Sequence, residues 1–334
     1  MPVIDMHAHV TPERFKRAIE KEGSWYGLPA EQGQLHLGNF AAGVDVRLAA
    51  MDAAGVDMQV VTPNVGFYQY ANDLDVTKQI HRECNNEMAE MVTDYPERFA
   101  GMGIAPMQDV PSAIEELDRM INELGLSGVM MSDSVAGQTY DEPQFLPFFK
   151  AAEEMGAIVF FHQGGPTVVN ERIDRYKLGN SIGYPTERAL TFAALVFGGV
   201  MDHCPDLKPL LAHGGGYTCF GSVRMDKACG ALDRADTDEP LTPRFDRAPD
   251  ELYDLQNAPS DYLDRFHYDC ITYSGPLLRF LIDRVGHDRV VLGTDHPAPM
   301  ELADPVRWIR GLPELSDEEK EAILVTNPGG LLGR

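Results

Sequence analysis

The chain has few cysteines, and it lacks the sequence features of secreted and membrane proteins. Its 334 residues include five cysteines, an odd number, and no Cys-x-x-Cys pair occurs. We therefore expect reduced thiols in a cytoplasmic protein rather than a disulfide framework. Asp5, His7 and His9 interrupt the first apolar residues, which is not typical of a signal peptide. No apolar run reaches the ~18 residues of a membrane span.

Basic residues are also scarce, and this shortage limits the possible partners. Lysine and arginine together number 28 against 52 acidic residues, which gives a formal net charge of −24 at pH 7. Such a surface repels nucleic-acid phosphates and anionic lipids, so we expect neither a nucleic-acid nor a membrane partner. A small anionic ligand would need local positive charge, supplied by a metal ion or by selected arginines.

The sequence does contain a series of short apolar runs with helical patterns between most of them. Eight runs are typical of strands buried on both faces: 3–7, 58–62, 99–104, 128–132, 157–162, 208–213, 267–271 and 289–294. Amphipathic patterns predict helices in 75–94, 111–124, 142–154, 187–201 and 276–284. This alternation predicts an α/β fold, a (β/α)8 TIM barrel formed by a single domain over residues 1–334.

Two segments depart from the alternation. Residues 14–46, after the first strand, form a small insertion that contains Trp25 and Tyr26, and we expect a flap or a β-ribbon over the mouth of the barrel. Residues 231–263, after the sixth strand, are rich in Asp, Pro and Arg. We expect them to form a polar, solvated excursion at a subunit contact.

Histidines and one aspartate stand at the ends of predicted strands. His7 and His9 lie two residues apart on the first strand, so both side chains point to the barrel interior. His162 ends the fifth strand and Asp295 follows the eighth. Three imidazoles and a carboxylate suit Zn²⁺ with one position left for water, and Mn²⁺, Fe²⁺ and Co²⁺ suit the same donors. The fourth strand offers no Lys or Glu to bridge a second ion, so we expect one metal ion.

His213 is a further candidate, because it follows the sixth strand and precedes three glycines. It could be a fourth imidazole ligand. It could equally be an acid/base group beside the metal-bound water, since imidazole titrates in the range to which a metal lowers the pKa of its water.

Several motifs in this order resemble the amidohydrolase superfamily. Within it, the chain is similar to the branch of 2-amino-3-carboxymuconate 6-semialdehyde decarboxylase, which includes γ-resorcylate decarboxylase-like enzymes that act on aromatic acids. The matching residues are Ile-Asp-Met-His-Ala-His at 4–9, Arg47 ahead of Met-Asp-Ala-Ala-Gly-Val at 51–56, His162, Pro-Thr-Glu at 185–187, Ala-His-Gly-Gly-Gly at 212–216, Arg224 and Gly-Thr-Asp-His-Pro at 293–297.

The resemblance implies a TIM barrel with one divalent metal, usually zinc, bound by His7, His9, His162 and Asp295. It implies that His213 is the acid/base group and that Arg47 and Arg224 hold a substrate carboxylate, which planar guanidinium groups bind through paired hydrogen bonds. In the family decarboxylase the second arginine comes from a neighbouring subunit, which implies a homodimer. His296 replaces the family's usual aromatic residue, and we expect it to contact substrate.

We therefore expect a metal-dependent, non-oxidative decarboxylase of an unsaturated or aromatic carboxylic acid, acting in the catabolism of aromatic compounds. His213 would move a proton, and Asp295 would both bind metal and shuttle a proton. The alternative enzyme is a hydrolase of a lactone, amide or ring C–N bond, or a hydratase, that uses the same centre for water attack. A non-enzymatic alternative is a metal-binding structural or regulatory protein with a closed coordination sphere.

Overall fold

The computed structural model describes residues 1–165, 172, 176–233 and 255–334. In this part of the chain eight strands coincide with the eight predicted runs. They are β1 (Ile4–Val10), β2 (Met58–Pro63), β3 (Phe99–Gly101), β4 (Gly128–Met131), β5 (Ile158–Phe161), β6 (Lys208–Leu211), β7 (His267–Asp269) and β8 (Val290–Val291). Most of the predicted excursion at 231–263, with the subunit contact expected there, lies outside the described residues.

The helices confirm the five predicted amphipathic segments. They are α1 (Glu13–Glu22), α2 (Val44–Ala54), α3 (Leu74–Asp94), α4 (Val110–Asp118), α5 (Leu146–Glu154), α6 (Tyr184–Phe197), α7 (Val200–His203), α8 (Thr218–Ala228), α9 (Gly275–Val285), α10 (Pro305–Gly311), α11 (Asp317–Glu321) and α12 (Asn327–Leu331). Asp73 caps α3 by accepting hydrogen bonds from the backbone of Asp75 and Val76, as an N-terminal aspartate commonly does.

The strands form a closed barrel. Strands β1 to β3 pair in parallel, and so do β4 to β8. Two parallel bridges join these groups, one between Gly103 and Val129 and the other between Ala8 and His296. The second seam is also held by a hydrogen bond of 2.7 Å from the His9 amide to the carbonyl of His296. The predicted TIM barrel is confirmed, and its closure brings the first and the last strand together.

Burial explains why the strands could be recognised from the sequence. All four residues of β5 are buried, as are all seven of β1. A barrel strand faces side chains of the interior on one side and the surrounding helices on the other, so both faces exclude water. The polar residues within β1 are therefore exceptional, because each buried polar group needs a partner.

The segment 14–46 does not form the β-ribbon, which was one of the two forms expected for it. It contains most of helix α1 and the start of α2, and antiparallel pairing is limited to the bridge between Trp25 and Leu28. Gly23 ends α1 with a φ of +76°, a conformation that favours glycine at this position. Phe15 of α1 is buried, with its ring centroid 5.8 Å from that of Trp25 and 5.1 Å from that of Phe67.

The five cysteines are buried and free of disulfides. None of the helices in the described ranges combines the length and the apolar character that crossing a bilayer requires.

Candidate metal centre

Four of the predicted site residues converge at the carboxyl ends of the strands. One ligand atom from each of His7, His9, His162 and Asp295 lies within 4.8 Å of all the others, and the four residues are buried. From Asp295 Oδ1 the distance is 3.3 Å to His7 Nε2, 3.2 Å to His9 Nε2 and 3.9 Å to His162 Nε2. Barrel closure sets this geometry, because the Asp295 amide donates to the carbonyl of His7 at 2.9 Å.

Hydrogen bonds behind the rings fix which nitrogen of each imidazole carries the proton. His7 Nδ1 donates to Asp269 Oδ2 at 2.7 Å. His9 Nδ1 lies 3.0 Å from Thr62 Oγ1, and that hydroxyl donates to the carbonyl of Ala8 at 3.0 Å. Thr62 has one proton to give, so it accepts from His9. When these two rings are neutral, as metal ligands are, the lone pair of each is therefore on Nε2.

His162 follows the same pattern. Its Nδ1 donates to the carbonyl of Gln163 at 3.1 Å, and its Nε2 is buried without a hydrogen-bond partner among the described residues. His7 Nε2 and His9 Nε2 face each other at 3.2 Å. Two lone pairs at this distance repel each other unless a cation or a proton lies between them. Three such nitrogens and a carboxylate oxygen therefore fit one divalent cation.

The charges of the centre favour the same donor set. Burial opposes the charge on Asp295, but the imidazoles of His7, His213 and His9 outweigh it and hold its pKa well below the ordinary value. Burial lowers the pKa of His9 and of His162. Burial also opposes a charge on His7, yet Asp295 and Asp269 raise the pKa of His7 to about 10. Without a metal the centre holds one proton, and a metal ion would replace that proton.

His213 lies beside this set of four. Its Nε2 is 3.5 Å from Asp295 Oδ2, whereas the three other histidines face Oδ1. Its ring centroid is 5.1 Å from that of His162. His213 and Asp295 have φ angles of +58° and +61°, which are uncommon for residues other than glycine and are often found at functional sites. This position suits exchange of a proton with a group bound next to Asp295.

Asp269 is a site residue that the sequence analysis missed. Its Oδ2 accepts from His7 Nδ1 at 2.7 Å and from the His213 amide at 2.8 Å, and its Oδ1 accepts from the Gly214 amide at 2.8 Å. One carboxylate thus orients a candidate ligand and holds the turn that carries His213. The sequence offered one sign of this role, an acidic residue within the predicted strand 267–271. A carboxylate buried in a strand needs hydrogen-bond partners.

A second hydrogen-bond network that was not predicted from the sequence connects β1 with Arg47. Asp5 Oδ2 accepts from Gln59 Nε2 at 2.8 Å and from Thr294 Oγ1 at 2.6 Å. Arg47 Nη1 donates to Gln59 Oε1 at 2.6 Å, and Arg47 Nη2 donates to the carbonyl of His9 at 2.5 Å. Burial lowers the pKa of Arg47 to about 10. Arg47 is therefore held next to a candidate metal ligand.

The other two predicted substrate contacts lie further out. His296 Nδ1 is 2.7 Å from Glu301 Oε2, and both residues line a cavity of about 80 Å³ together with Gln59. Arg224 is exposed on α8. Within the described ranges no hydrogen bond or ion pair joins Arg224 to the converging histidines or to Asp295.

Comparison with known proteins agrees with this geometry. The amidohydrolase family model matches residues 4–334. A 2-amino-3-carboxymuconate-6-semialdehyde decarboxylase from Dictyostelium discoideum is 32% identical over 99% of this chain and 91% of its own length. A γ-resorcylate decarboxylase from Rhizobium is 30% identical over 76% of each chain.

A solved structure confirms the fold. The dihydroxybenzoic acid decarboxylase from Polaromonas, with bound manganese and an inhibitor, superposes with a TM-score of 0.80 at 23% identity, covering 99% of this chain and 97% of that one. The match of the family model over nearly the full length and the similarity to the Dictyostelium enzyme lead to one conclusion: the chain belongs to the amidohydrolase family.

Proposed function

We propose that this chain is a metal-dependent, non-oxidative decarboxylase of an unsaturated or aromatic carboxylic acid, acting in the breakdown of aromatic compounds. One observation carries the proposal: three Nε2 lone pairs and an ionised carboxylate converge on one point, with a further imidazole alongside. The Dictyostelium and Rhizobium relatives, both decarboxylases, support this reaction for a site of this kind.

The metal ion would be held by His7, His9, His162 and Asp295. It would act as a Lewis acid that stabilises the negative charge developing when CO₂ leaves. The donor set suits zinc, whereas the Polaromonas neighbour contains manganese. We propose zinc as the first candidate and manganese as the second, to be distinguished by metal analysis of the purified protein.

His213 supplies the proton in the proposed reaction. Loss of CO₂ breaks the carbon–carboxylate bond and leaves its electron pair on the substrate carbon, which then takes up a proton. His213 Nε2 lies 3.5 Å from Asp295 Oδ2. The carboxylate of Asp295 beside it can pass on a proton.

Arg47, His296 and Arg224 are the proposed substrate-binding residues. A guanidinium group has five N–H donors, and the hydrogen bonds of Arg47 to Gln59 and to the His9 carbonyl use two of them. The remaining donors can bind a carboxylate next to the centre. Glu301 orients His296 through Nδ1, which leaves Nε2 to contact substrate.

We propose that a homodimer brings Arg224 to the site of the other subunit. Large apolar side chains are exposed on neighbouring helices: Leu190 on α6, Phe220 and Val223 on α8, and Leu277 and Phe280 on α9. Phe220, 83% exposed, lies one helical turn before Arg224 and on the same face of α8. Such an apolar surface is typical of a contact between subunits.

The proposed compartment is the cytoplasm, a setting that suits five cysteines without disulfide bonds.

The reaction is tested by incubating the metal-loaded protein with aromatic and muconate-type acids. The proposal expects CO₂ release in step with loss of the acid, and no incorporation of oxygen from ¹⁸O-labelled water into the product. A product that contains solvent oxygen, without CO₂, would instead identify the hydrolase or hydratase alternative. The metal-loaded His36→Asn variant, altered at an exposed histidine, is the matched control and should keep full activity.

The dimer is tested by mixing two inactive variants, Arg224→Ala and His213→Asn. If Arg224 acts across the interface, each mixed dimer contains one complete site. Because half of the dimers are mixed, about a quarter of the wild-type activity should return. An inactive mixture of properly exchanged dimers would contradict the shared site, while the decarboxylase assignment would stand on the wild-type assay.

A further inference from the structure

A second cavity lies at the opposite end of the barrel from the metal centre. Its volume is about 470 Å³, and its walls include residues near the amino ends of three neighbouring strands. Lys208 begins β6, His267 begins β7 and Arg289 immediately precedes β8. The candidate metal ligands and His213 lie at or beyond the carboxyl ends of their strands, so the two sites are on opposite faces of the barrel.

The cavity concentrates positive charge on a chain that has little of it. Lys208, Arg265 and Arg289 line it together with His267, and the two carboxylates in its wall are those of Asp206 and Asp288. The formal charge of these side chains is therefore positive, whereas the whole chain carries −24. Scattered positive charges on an acidic protein pair readily with neighbouring carboxylates, so a cluster of this kind indicates a site for an anion.

Two of these cations interact with backbone carbonyls instead of carboxylates. Lys208 Nζ donates to the carbonyl of Gly156 at 3.2 Å. Arg265 Nη2 donates to the carbonyl of Pro205 at 2.6 Å and to that of Met201 at 3.4 Å. A carbonyl satisfies a hydrogen bond but does not neutralise a charge, so both side chains keep their positive charge in the cavity wall.

The same wall contains buried polar atoms that lack a partner. Arg289 Nε has no hydrogen bond to any described residue, and its ion-pair contact, Asp288 Oδ2, is 3.5 Å away. His267 Nδ1 is also buried and lacks a partner within the described ranges. Burial, followed by the charge of Arg289, lowers the pKa of His267 to about 4, which is a second sign that this wall is positive. Unpaired polar atoms of this kind are rare in folded proteins and call for a ligand or ordered water.

We infer that this cavity is a binding site for a small oxyanion, a phosphate or a carboxylate, held by Lys208, Arg265 and Arg289. The volume falls in the range of small-molecule sites. Guanidinium groups bind both kinds of oxyanion through paired hydrogen bonds, and the ammonium of Lys208 adds a point charge. The site is independent of the proposed decarboxylation, because it shares no residue with the metal centre.

The experiment is a calorimetric titration of the metal-loaded, full-length protein with inorganic phosphate and, separately, with succinate at constant ionic strength. These two probes distinguish the phosphate source from the carboxylate source. The test variant is Lys208→Gln combined with Arg289→Gln. Arg307→Gln is the matched control, because it removes the same kind of charge from an exposed side chain on α10 outside the cavity.

We expect at least one probe to have the same Kd for wild type and Arg307→Gln. Its Kd for the double variant should be at least about tenfold higher. Binding should persist in His162→Ala, which removes a candidate metal ligand, so that uptake at the metal centre is excluded. The inference is overturned if neither probe binds, if the double variant binds as wild type does, or if binding is lost in His162→Ala. If the double variant does not fold, Arg289→Gln alone is used, with the same outcomes.

Discussion

The two faces of the barrel present polar groups of opposite kind. At the carboxyl face three imidazoles direct lone pairs at one point, and each ring is fixed by an acceptor behind it, such as Asp269 for His7. At the amino face Lys208 and Arg265 direct positive charge into a cavity and are held by backbone carbonyls. The comparison shows that one scaffold can leave acceptors unsatisfied at one end and donors at the other. The first end therefore suits a cation and the second an anion.

The largest expected effect separates catalysis from metal binding at the carboxyl face. His213→Asn should lower the decarboxylation rate by a factor of about 10² to 10⁴, the usual contribution of a general acid or base. Its metal content should stay at the wild-type level, because His213 lies beside the four ligands. Steady-state kinetics together with metal analysis of the same sample measure both quantities. Full activity in a metal-loaded variant would contradict the assigned role.

Removing the metal should destabilise the fold, because the converging lone pairs then lose their cation. At a free metal concentration of 100 times the Kd, binding adds about 2.7 kcal/mol to the free energy of unfolding. Thermal unfolding with and without a chelator measures the difference. His162→Ala should show little difference between the two conditions, since it lacks one candidate ligand. An unchanged wild-type melting temperature would contradict a metal site in the folded protein.

The hydrogen bond from His7 to Asp269 should account for part of the metal affinity of the centre. Asp269→Asn weakens the acceptor of the His7 proton, so we expect a metal Kd about 10 to 100 times higher. Competition with a chromophoric chelator measures this Kd. Asp288→Asn makes the same chemical change at the amino face and should leave the Kd unaltered. Equal metal affinities in Asp269→Asn and wild type would show that Asp269 does not orient this ligand.

The smallest effect is a pH dependence at the amino face. The pKa of His267 is about 4 in the folded protein and about 6.5 in the unfolded chain. Between these values the unfolded chain binds more protons, so this group costs stability as the pH falls from about 6.5 towards 4. Wild type should therefore lose up to about 2 kcal/mol more than His267→Gln between pH 7 and pH 5.

Chemical denaturation at the two pH values measures that difference. His36→Gln, altered at an exposed histidine, should keep the wild-type pH dependence. Parallel stability curves for wild type and His267→Gln would contradict a neutral His267 in the folded protein.

The sequence predicted the barrel and the convergence of the four candidate metal ligands because both depend on local patterns. Each strand is a short apolar run, and His162 and Asp295 follow such runs directly, so the parallel geometry of the strands alone places them at one face. The fold of segment 14–46 was harder to predict. Trp25 and several glycines suggested a flap or a ribbon, yet Phe15 contributes to an aromatic cluster with Trp25 and Phe67 that only the tertiary structure shows.

Two other features were not predicted, because they depend on contacts between residues far apart in the chain. Asp269 orients His7 across 262 positions of sequence. The basic cavity gathers Lys208, Arg265 and Arg289 from separate elements, and each of them alone resembles an ordinary surface cation. Local sequence patterns predict single helices and strands. These contacts form only when the helices and strands pack against one another.

The seam between β1 and β8 has a consequence for biosynthesis. The Asp295 amide is anchored on the carbonyl of His7, and the His9 amide is anchored on that of His296. A nascent chain synthesised only as far as Thr294 has all three candidate histidine ligands but lacks Asp295, so it cannot gather the full set. Metal binding by all four residues would therefore follow the synthesis of Asp295, the last of the candidate ligands along the chain.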